Sequence, residues 1–435
     1  MIKMQPIGIP ILFIFIGTYL AISSEKVNRT AMAMTGMGLA GLALWVAHSI
    51  DPSQGATFTH LVETIEWQTL LFVTAMMVIV AIAGQSGMFQ YIALNLARPS
   101  GGDTKRIFIT FIVFVFFVSL FFDTSSTMLI IAPLTIEICK ALEIDFKPYL
   151  IAESITANFA SVPSLVGAVP NLVIAGETGM DAGLLFLTLM PLSIILLLVT
   201  LPILLKLFED TMIETDSELI EEIFDVNPEV MINCRTDFFT SLIGLGILVL
   251  GFTWGVTINL EPALVAVLIG FGLLLLAHER VERIMSQVSW STIFFLVGVF
   301  GLVGALEIVG FIDELGEAVH ILVADNTGIA VVFLTWVPAA LSAVIDNIPV
   351  AVVLAPIAES FAASSAIFPI VLIYAVNVGG YLLPMGAPAN ILAIALSEKH
   401  KDPISFAMFA KVASMIAVLH LLIGTGWLLL MSILI

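Results

Sequence analysis

The chain has 435 residues, of which 60% are hydrophobic and 11% charged, and its formal net charge is −19. Soluble domains carry about 25% charged residues, so this composition excludes a soluble enzyme and points to an all-α polytopic membrane protein. Its two cysteines, Cys139 and Cys234, give no disulfide framework or metal-ligand spacing, and there is no Walker A motif, zinc-binding HExxH or dinucleotide fingerprint. An enzyme, a resident cofactor, ATP-driven transport and a nucleic-acid partner are therefore not expected.

In chain order, the first apolar run follows a single Lys3 and is too long for a signal h-region, so it reads as a retained helix over 5–22. A second helix is expected over 30–48, then a Trp-led helix over 67–84 that trails an amphipathic stretch. A long apolar segment over 107–142 is interrupted at Asp123; after it comes a helix broken near Asn158 and a closing helix over 183–207. The segment "EDTMIETDSELIEEIFDVNPEV" (209–230) holds nine acids and no base, as a solvated linker does. Beyond it the order recurs: helices over 239–256, 262–277 and 290–307, a segment over 328–363 interrupted at Asp346, a helix broken near Asn377, and a closing helix over 406–434. This divides the chain into a first membrane repeat (1–207), a linker (208–237) and a second repeat (238–435).

The recurrence extends to individual residues. At an offset of 223, Trp67 meets Trp290, Thr69 meets Thr292, Gly87 meets Gly310, Asp123 meets Asp346 and Pro133 meets Pro356. At 219, Asn158 meets Asn377, Gly167 meets Gly386 and Asn171 meets Asn390. If each interrupted segment is a re-entrant hairpin with Asp at its tip, each repeat crosses the membrane five times, and an odd count inverts one repeat relative to the other. With both termini outside and the linker cytoplasmic, fourteen of the fifteen Lys and Arg fall on the inner side, which the positive-inside rule requires.

Inverted repeats with broken helices place a binding site at the bilayer midplane, where half-helix ends aim backbone groups at an ion. The expected breakers are Pro163, Gly167 and Pro170 in one half and Gly379, Gly380, Pro384, Gly386 and Pro388 in the other. Asp123 and Asp346 are the primary candidates for binding a coupling ion, since an acid at that depth is costly unless it functions. Each also suits a helix cap. Thr124, Ser125, Asn158, Asn347 and Asn377 stand beside them as candidate ligands, and Glu153, which has no counterpart in the second repeat, as a proton carrier. Glu137, Glu307 and Glu359 are expected nearer the surfaces. In this topology no Lys or Arg enters the membrane interior, which favours a cation, a proton or a neutral hydroxylated solute over a multiply charged anion.

The stretches "FFDTSSTMLIIAPLTIEICKALEIDFKPYLIAESITANFASVPSLVGAVPNLVIAG", "LSAVIDNIPVAVVLAPIAES" and "GGYLLPMGAPANILAIALSEK" resemble the ion transporter superfamily, in its arsenite permease, NhaD-type sodium/proton antiporter and P-protein branch, which takes in citrate-transporter-like permeases. The resemblance implies two inverted repeats, each with a re-entrant hairpin and a broken helix, often in a homodimer, and ion-coupled movement of sodium, arsenite, silicic acid or carboxylates. The first hairpin departs from the family's Asp-Asn-x-Thr, and Ala168 stands where many relatives carry an acid. Cation (sodium)/proton exchange is the leading expectation, with sodium held by Asp123 and Asp346. Proton-coupled efflux of arsenite or a similar solute, sodium-coupled carboxylate symport and a passive channel are the alternatives. An intramembrane aspartyl protease would carry Tyr-Asp and Gly-x-Gly-Asp, which are absent around Asp123 and Asp346. The expected partners are thus a small inorganic ion or solute and the lipid of a cell membrane.

Overall fold

The computed structural model describes residues 4–23, 27–101, 103–212, 227–255, 260–277, 280–323, 326–362 and 365–435. Among them regular structure is entirely helical. The first half of the chain comprises α1 (Gly8–Ser23), α2 (Arg29–Ile50), α3 (Trp67–Gln85), α4 (Met88–Ala97), α5 (Thr104–Ser119), α6 (Thr124–Ala141), α7 (Lys147–Ala160), α8 (Val169–Thr178) and α9 (Ala182–Leu207). The second comprises α10 (Arg235–Gly255), α11 (Pro262–Leu276), α12 (Trp290–Ile308), α13 (Phe311–Val323), α14 (Thr327–Val344), α15 (Asn347–Ala362), α16 (Ile367–Gly380), α17 (Pro388–Lys399) and α18 (Phe406–Leu434). Seven of these, α2, α3, α9, α10, α12, α14 and α18, are long and apolar enough to cross a membrane. The linker reading falls largely on 213–226, outside the described residues, and α10 begins at Arg235, earlier than the sequence pattern suggested.

Local chemistry sets these boundaries twice over. Gly87 and Gly310 adopt φ values of +83° and +77°, turning the chain between α3 and α4 and between α12 and α13. A side chain with a Cβ rarely adopts that conformation. The indoles of Trp67 and Trp290 each donate to the carbonyl five residues back, of Val62 at 3.3 Å and of Met285 at 3.0 Å. Caps recur as well: Asp103 accepts from the N–H groups of Lys105 and Arg106 at the start of α5, and Asn326 from that of Ile329 at the start of α14. Such side chains satisfy donors that a helix start leaves unpaired.

Contacts between the halves are reciprocal. In the outer layer α2 packs on α12 and α11 packs on α3. A Cβ at Gly298 would come within 2.6 Å of the Ala33 backbone, and one at Gly270 within 2.8 Å of the Ala75 backbone. Small residues let membrane helices approach this closely. Further in, α15 packs on α8 of the other repeat, and α6 on α17. At the centre lie α7 and α16. Every residue of α16 and all of 148–160 in α7 are buried, the polar Glu153, Ser154, Thr156, Asn158 and Asn377 included. Two tyrosines tie α16 to the closing helices. Tyr374 donates to the His420 carbonyl, while the His420 ring lies 2.6 Å from the Tyr381 hydroxyl and 2.6 Å from that of Thr200 on α9.

Candidate functional site

Both interrupted segments are helix–turn–helix units with an Asp in the turn. Asp123 caps α6: its carboxylate accepts from the N–H groups of Ser125 (3.1 Å) and Ser126 (3.2 Å), and the Ser126 hydroxyl donates to it too. Asp346 accepts from the Ile348 N–H at 3.1 Å in the matching turn. It also receives Arg29 Nη1 at 3.4 Å, from the first turn of α2. A base so close to a hairpin acid was not expected from the sequence. Arg29 was assigned to the inner surface, but its side chain is long enough to reach the hairpin tip.

The broken helices match equally well. α7 ends at Ala160, and after 161–168 the chain resumes at Val169, with Pro170 in the first turn of α8. α16 ends at Gly380, a turn at Pro384–Gly386 follows, and α17 starts at Pro388. Proline in a first turn removes a donor that the helix does not use. Pro163 lies in the first break and Gly379 in the last turn of α16, where a Cβ would come within 2.3 Å of the Ala339 carbonyl oxygen. Across each break an asparagine replaces the missing helical bonds. Asn171 donates to the carbonyls of Ser161 (3.0 Å) and Ser164 (2.7 Å), and Asn390 to those of Gly380 (2.8 Å) and Leu383 (3.2 Å).

These amides also cross between the repeats. Asn158 donates to Asn390 Oδ1 at 3.2 Å, and its counterpart Asn377 donates to Asn171 Oδ1 at 2.7 Å. Ser154 adds a bond to Asn390 Oδ1 at 2.7 Å. The Oδ1 atoms of Asn158 and Asn377 are buried without a hydrogen-bond partner. Asn347 is buried against the second break, its amide nitrogen 3.3 Å from where a Cβ on Gly380 would sit. Sequence reasoning named Asn158 and Asn377 but passed over Asn171, Asn390 and Ser154. The offset of 219 already paired Asn171 with Asn390, which was signal enough to include them.

A cavity of about 680 Å³ joins the two hairpin tips. Asp123, Ser125 and Asp346 line it, as do Val169 and Pro388 at the starts of α8 and α17. Neither start has a side-chain cap. Ala168 and Ala387 occupy the two cap positions, with φ/ψ of −151°/141° and −148°/145°. An alanine thus stands at the cap position in both halves and leaves the starts of both helices uncapped at the cavity, where a helix N-terminus attracts negative charge. Thr124, Asn158, Asn347 and Asn377 are buried beside or behind this space and do not line it. Glu153 is also fully buried away from it, taking one hydrogen bond, from Thr135 at 2.5 Å, while its Oε2 is unpaired. Glu137, expected near a surface, lines the cavity. Among the described residues no group of three or more His, Cys, Asp and Glu converges as a metal site. A cation at either Asp would have to complete its shell with hydroxyl, amide and backbone oxygens.

A helical membrane protein with paired broken helices around a cavity that holds a few polar and charged groups is built as a transporter. This chain belongs to the citrate transporter family, whose model matches residues 19–371. It is 30% identical over 417 residues to the 46 kDa membrane protein of Mycobacterium leprae, covering 94% of this chain and 95% of that one. An uncharacterized transporter of Mycobacterium tuberculosis (strain ATCC 25618 / H37Rv) is 28% identical over 423 residues, or 95% and 96% of the two chains. The human P protein is 27% identical over 500 residues, 96% of this chain and 59% of that one. Among solved structures, the YdaH transporter of Alcanivorax borkumensis has the same fold, with a TM-score of 0.62 at 16% identity over 93% of this chain and 98% of that one. The protein is thus a multi-pass membrane transporter of the ion transporter superfamily.

Proposed function

We propose that the chain is an ion-coupled carrier of a small carboxylate such as citrate, working by alternating access, with the coupling cation at Asp346 and Asp123. One observation carries this reading: Arg29 and two uncapped helix N-termini share a cavity with both hairpin acids. Positive groups for an anion and carboxylates for a cation then lie within one space. Its volume is within the range of small-molecule sites, about 300–1,000 Å³. The family description supports a tricarboxylate as the first solute to test. The contact of Arg29 with Asp346 favours this reading over sodium/proton exchange, the leading expectation from sequence.

The reciprocal contacts of α2 with α12 and α11 with α3 support two inverted repeats whose outer helices form a scaffold. In the proposed cycle the hairpins and broken helices move against that scaffold. Gln287, Ser289 and Glu137 line the cavity on the side richest in Lys and Arg, so we read the structure as open to the cytoplasm. The unpaired amide oxygens of Asn158 and Asn377 are the natural additional ligands for sodium once the hairpins shift, because a carboxamide oxygen has two lone pairs to offer.

Counterflow in proteoliposomes tests the carrier and its solute together. Vesicles preloaded with unlabelled citrate are expected to show a transient overshoot of labelled external citrate. External succinate should reduce the overshoot, and arsenite should leave it unchanged. A channel gives monotonic equilibration with no overshoot, and that result would reject the carrier.

A further inference from the structure

Arg29 is the only Lys or Arg among the described residues that line the cavity, and it links an outer-layer helix to a hairpin tip. It stands in the first turn of α2, in the outer layer, whereas Asp346 is at the tip of the second hairpin. The two are 317 positions apart in sequence. Their contact is loose: one Nη1 meets one Oδ2 at 3.4 Å, beyond the roughly 2.7–2.9 Å of a well-formed charge-assisted bond. The guanidinium carbon lies 5.5 Å from the centre of the Phe295 ring, which orients the group over an aromatic face without using its donors. The Arg29 side chain is 42% exposed and that of Asp346 14%. A guanidinium offers five N–H donors in a planar fork suited to a carboxylate, and the contact with Asp346 uses one of them.

Resting on the function proposed above, we infer that Arg29 anchors a carboxylate of the transported anion and that its pairing with Asp346 is the device that couples anion to cation. In the unloaded cavity the two side chains neutralise each other. A cation arriving alone at Asp346 leaves Arg29 unpaired beside a second positive charge. An anion arriving alone at Arg29 leaves Asp346 facing a negative one. When both arrive, two ion pairs replace one and no charge is left uncompensated, so joint loading is favoured over either single loading. This is specificity built partly on repulsion, and it requires no movement larger than a side chain. It also explains why a scaffold helix contributes an arginine to a hairpin tip, since a pair spanning the two can report occupancy to the interface that moves.

The test uses the neutral isostere of the acid, which stands in for the cation-occupied state whichever cation couples. Equilibrium binding of labelled citrate is measured on the full chain in lipid nanodiscs, in sodium-free buffer at fixed pH. Asp346→Asn is expected to bind citrate about three- to tenfold more tightly than wild type, because the competing carboxylate charge is gone. Arg29→Gln is expected to weaken citrate binding by about tenfold to a hundredfold in either background, the loss of a charge-assisted pair. Arg29→Lys, which keeps the charge without the fork, should fall between wild type and Arg29→Gln. A purely structural Arg29 would not give opposite signs for the two partners of one ion pair. If Asp346→Asn binds citrate no better than wild type, or Arg29→Gln binds it equally well, the inference is overturned. Should wild-type citrate counterflow persist in that case, the carrier reading survives and only the switch falls; should counterflow also be absent, both fall.

Discussion

Asp346→Asn is expected to abolish concentrative citrate uptake while leaving a folded protein in the membrane. Asparagine keeps an oxygen to accept the Ile348 N–H, so the turn that starts α15 keeps its cap. What disappears is the negative charge, and with it the group proposed to attract a cation to this end of the cavity. Removing a charged partner from a largely buried site costs about 3 kcal/mol or more, which corresponds to a hundredfold or greater loss of cation affinity. Uptake driven by a cation gradient should fall to the background of empty vesicles, whereas citrate binding in the absence of sodium should not fall. Normal expression and an unchanged melting temperature alongside lost uptake would separate this outcome from misfolding.

Gly386→Ala should be strongly damaging, and its cost is steric. A Cβ at this position would come within 2.5 Å of the Ser342 carbonyl oxygen and 2.7 Å of that of Gly380. Both are backbone atoms and cannot rotate aside. Either the break between α16 and α17 opens or the last turn of α14 is displaced. Overpacking of this kind costs about 1–3 kcal/mol, and it falls where Asn390 holds the break closed. Gly167 meets the same obstacle in the first repeat, against the Ser119 and Ser161 carbonyls at 2.6 and 2.8 Å. A lower melting temperature in detergent and loss of counterflow are expected for Gly386→Ala and Gly167→Ala alike. Gly38→Ala is the control, since nothing lies within 4 Å of the added methyl and alanine favours the helix by about 0.8–1 kcal/mol. Equal stability of Gly386→Ala and Gly38→Ala would contradict the packing described for the break.

Much of the architecture was legible because the chain carries each instruction twice. Asp, Asn, Pro and Gly are expensive inside apolar segments, so their return at offsets of 223 and 219 stood out against the hydrophobic background. They marked the hairpin turns and helix breaks near where these occur. The contacts between halves could not be read in the same way. Asn171 and Asn390 were visible as a pair, yet that each braces its own break while meeting the other repeat's asparagine follows only from how α7, α8, α16 and α17 pack. Arg29 was less accessible still. In sequence it is one base among several beside an apolar helix, and nothing local ties it to an acid in the opposite half. Its contact with Asp346 is what favours an anionic solute in the proposed function. Glu137 is exposed, and helix position fixes its depth but not which face meets the cavity. Glu137 faces it, whereas Glu153 is enclosed beside Thr135.

Coupling of an anion to a cation in one cavity is read most directly in sealed proteoliposomes containing the wild-type chain. Labelled citrate uptake is followed with the membrane potential clamped, under an inward sodium gradient, an inward proton gradient, and neither. The account predicts accumulation of citrate above its external concentration under one of the two gradients, none without a gradient, and none in protein-free vesicles. Citrate that merely equilibrates under every condition, or a sodium gradient that drives protons while citrate has no effect, would contradict it.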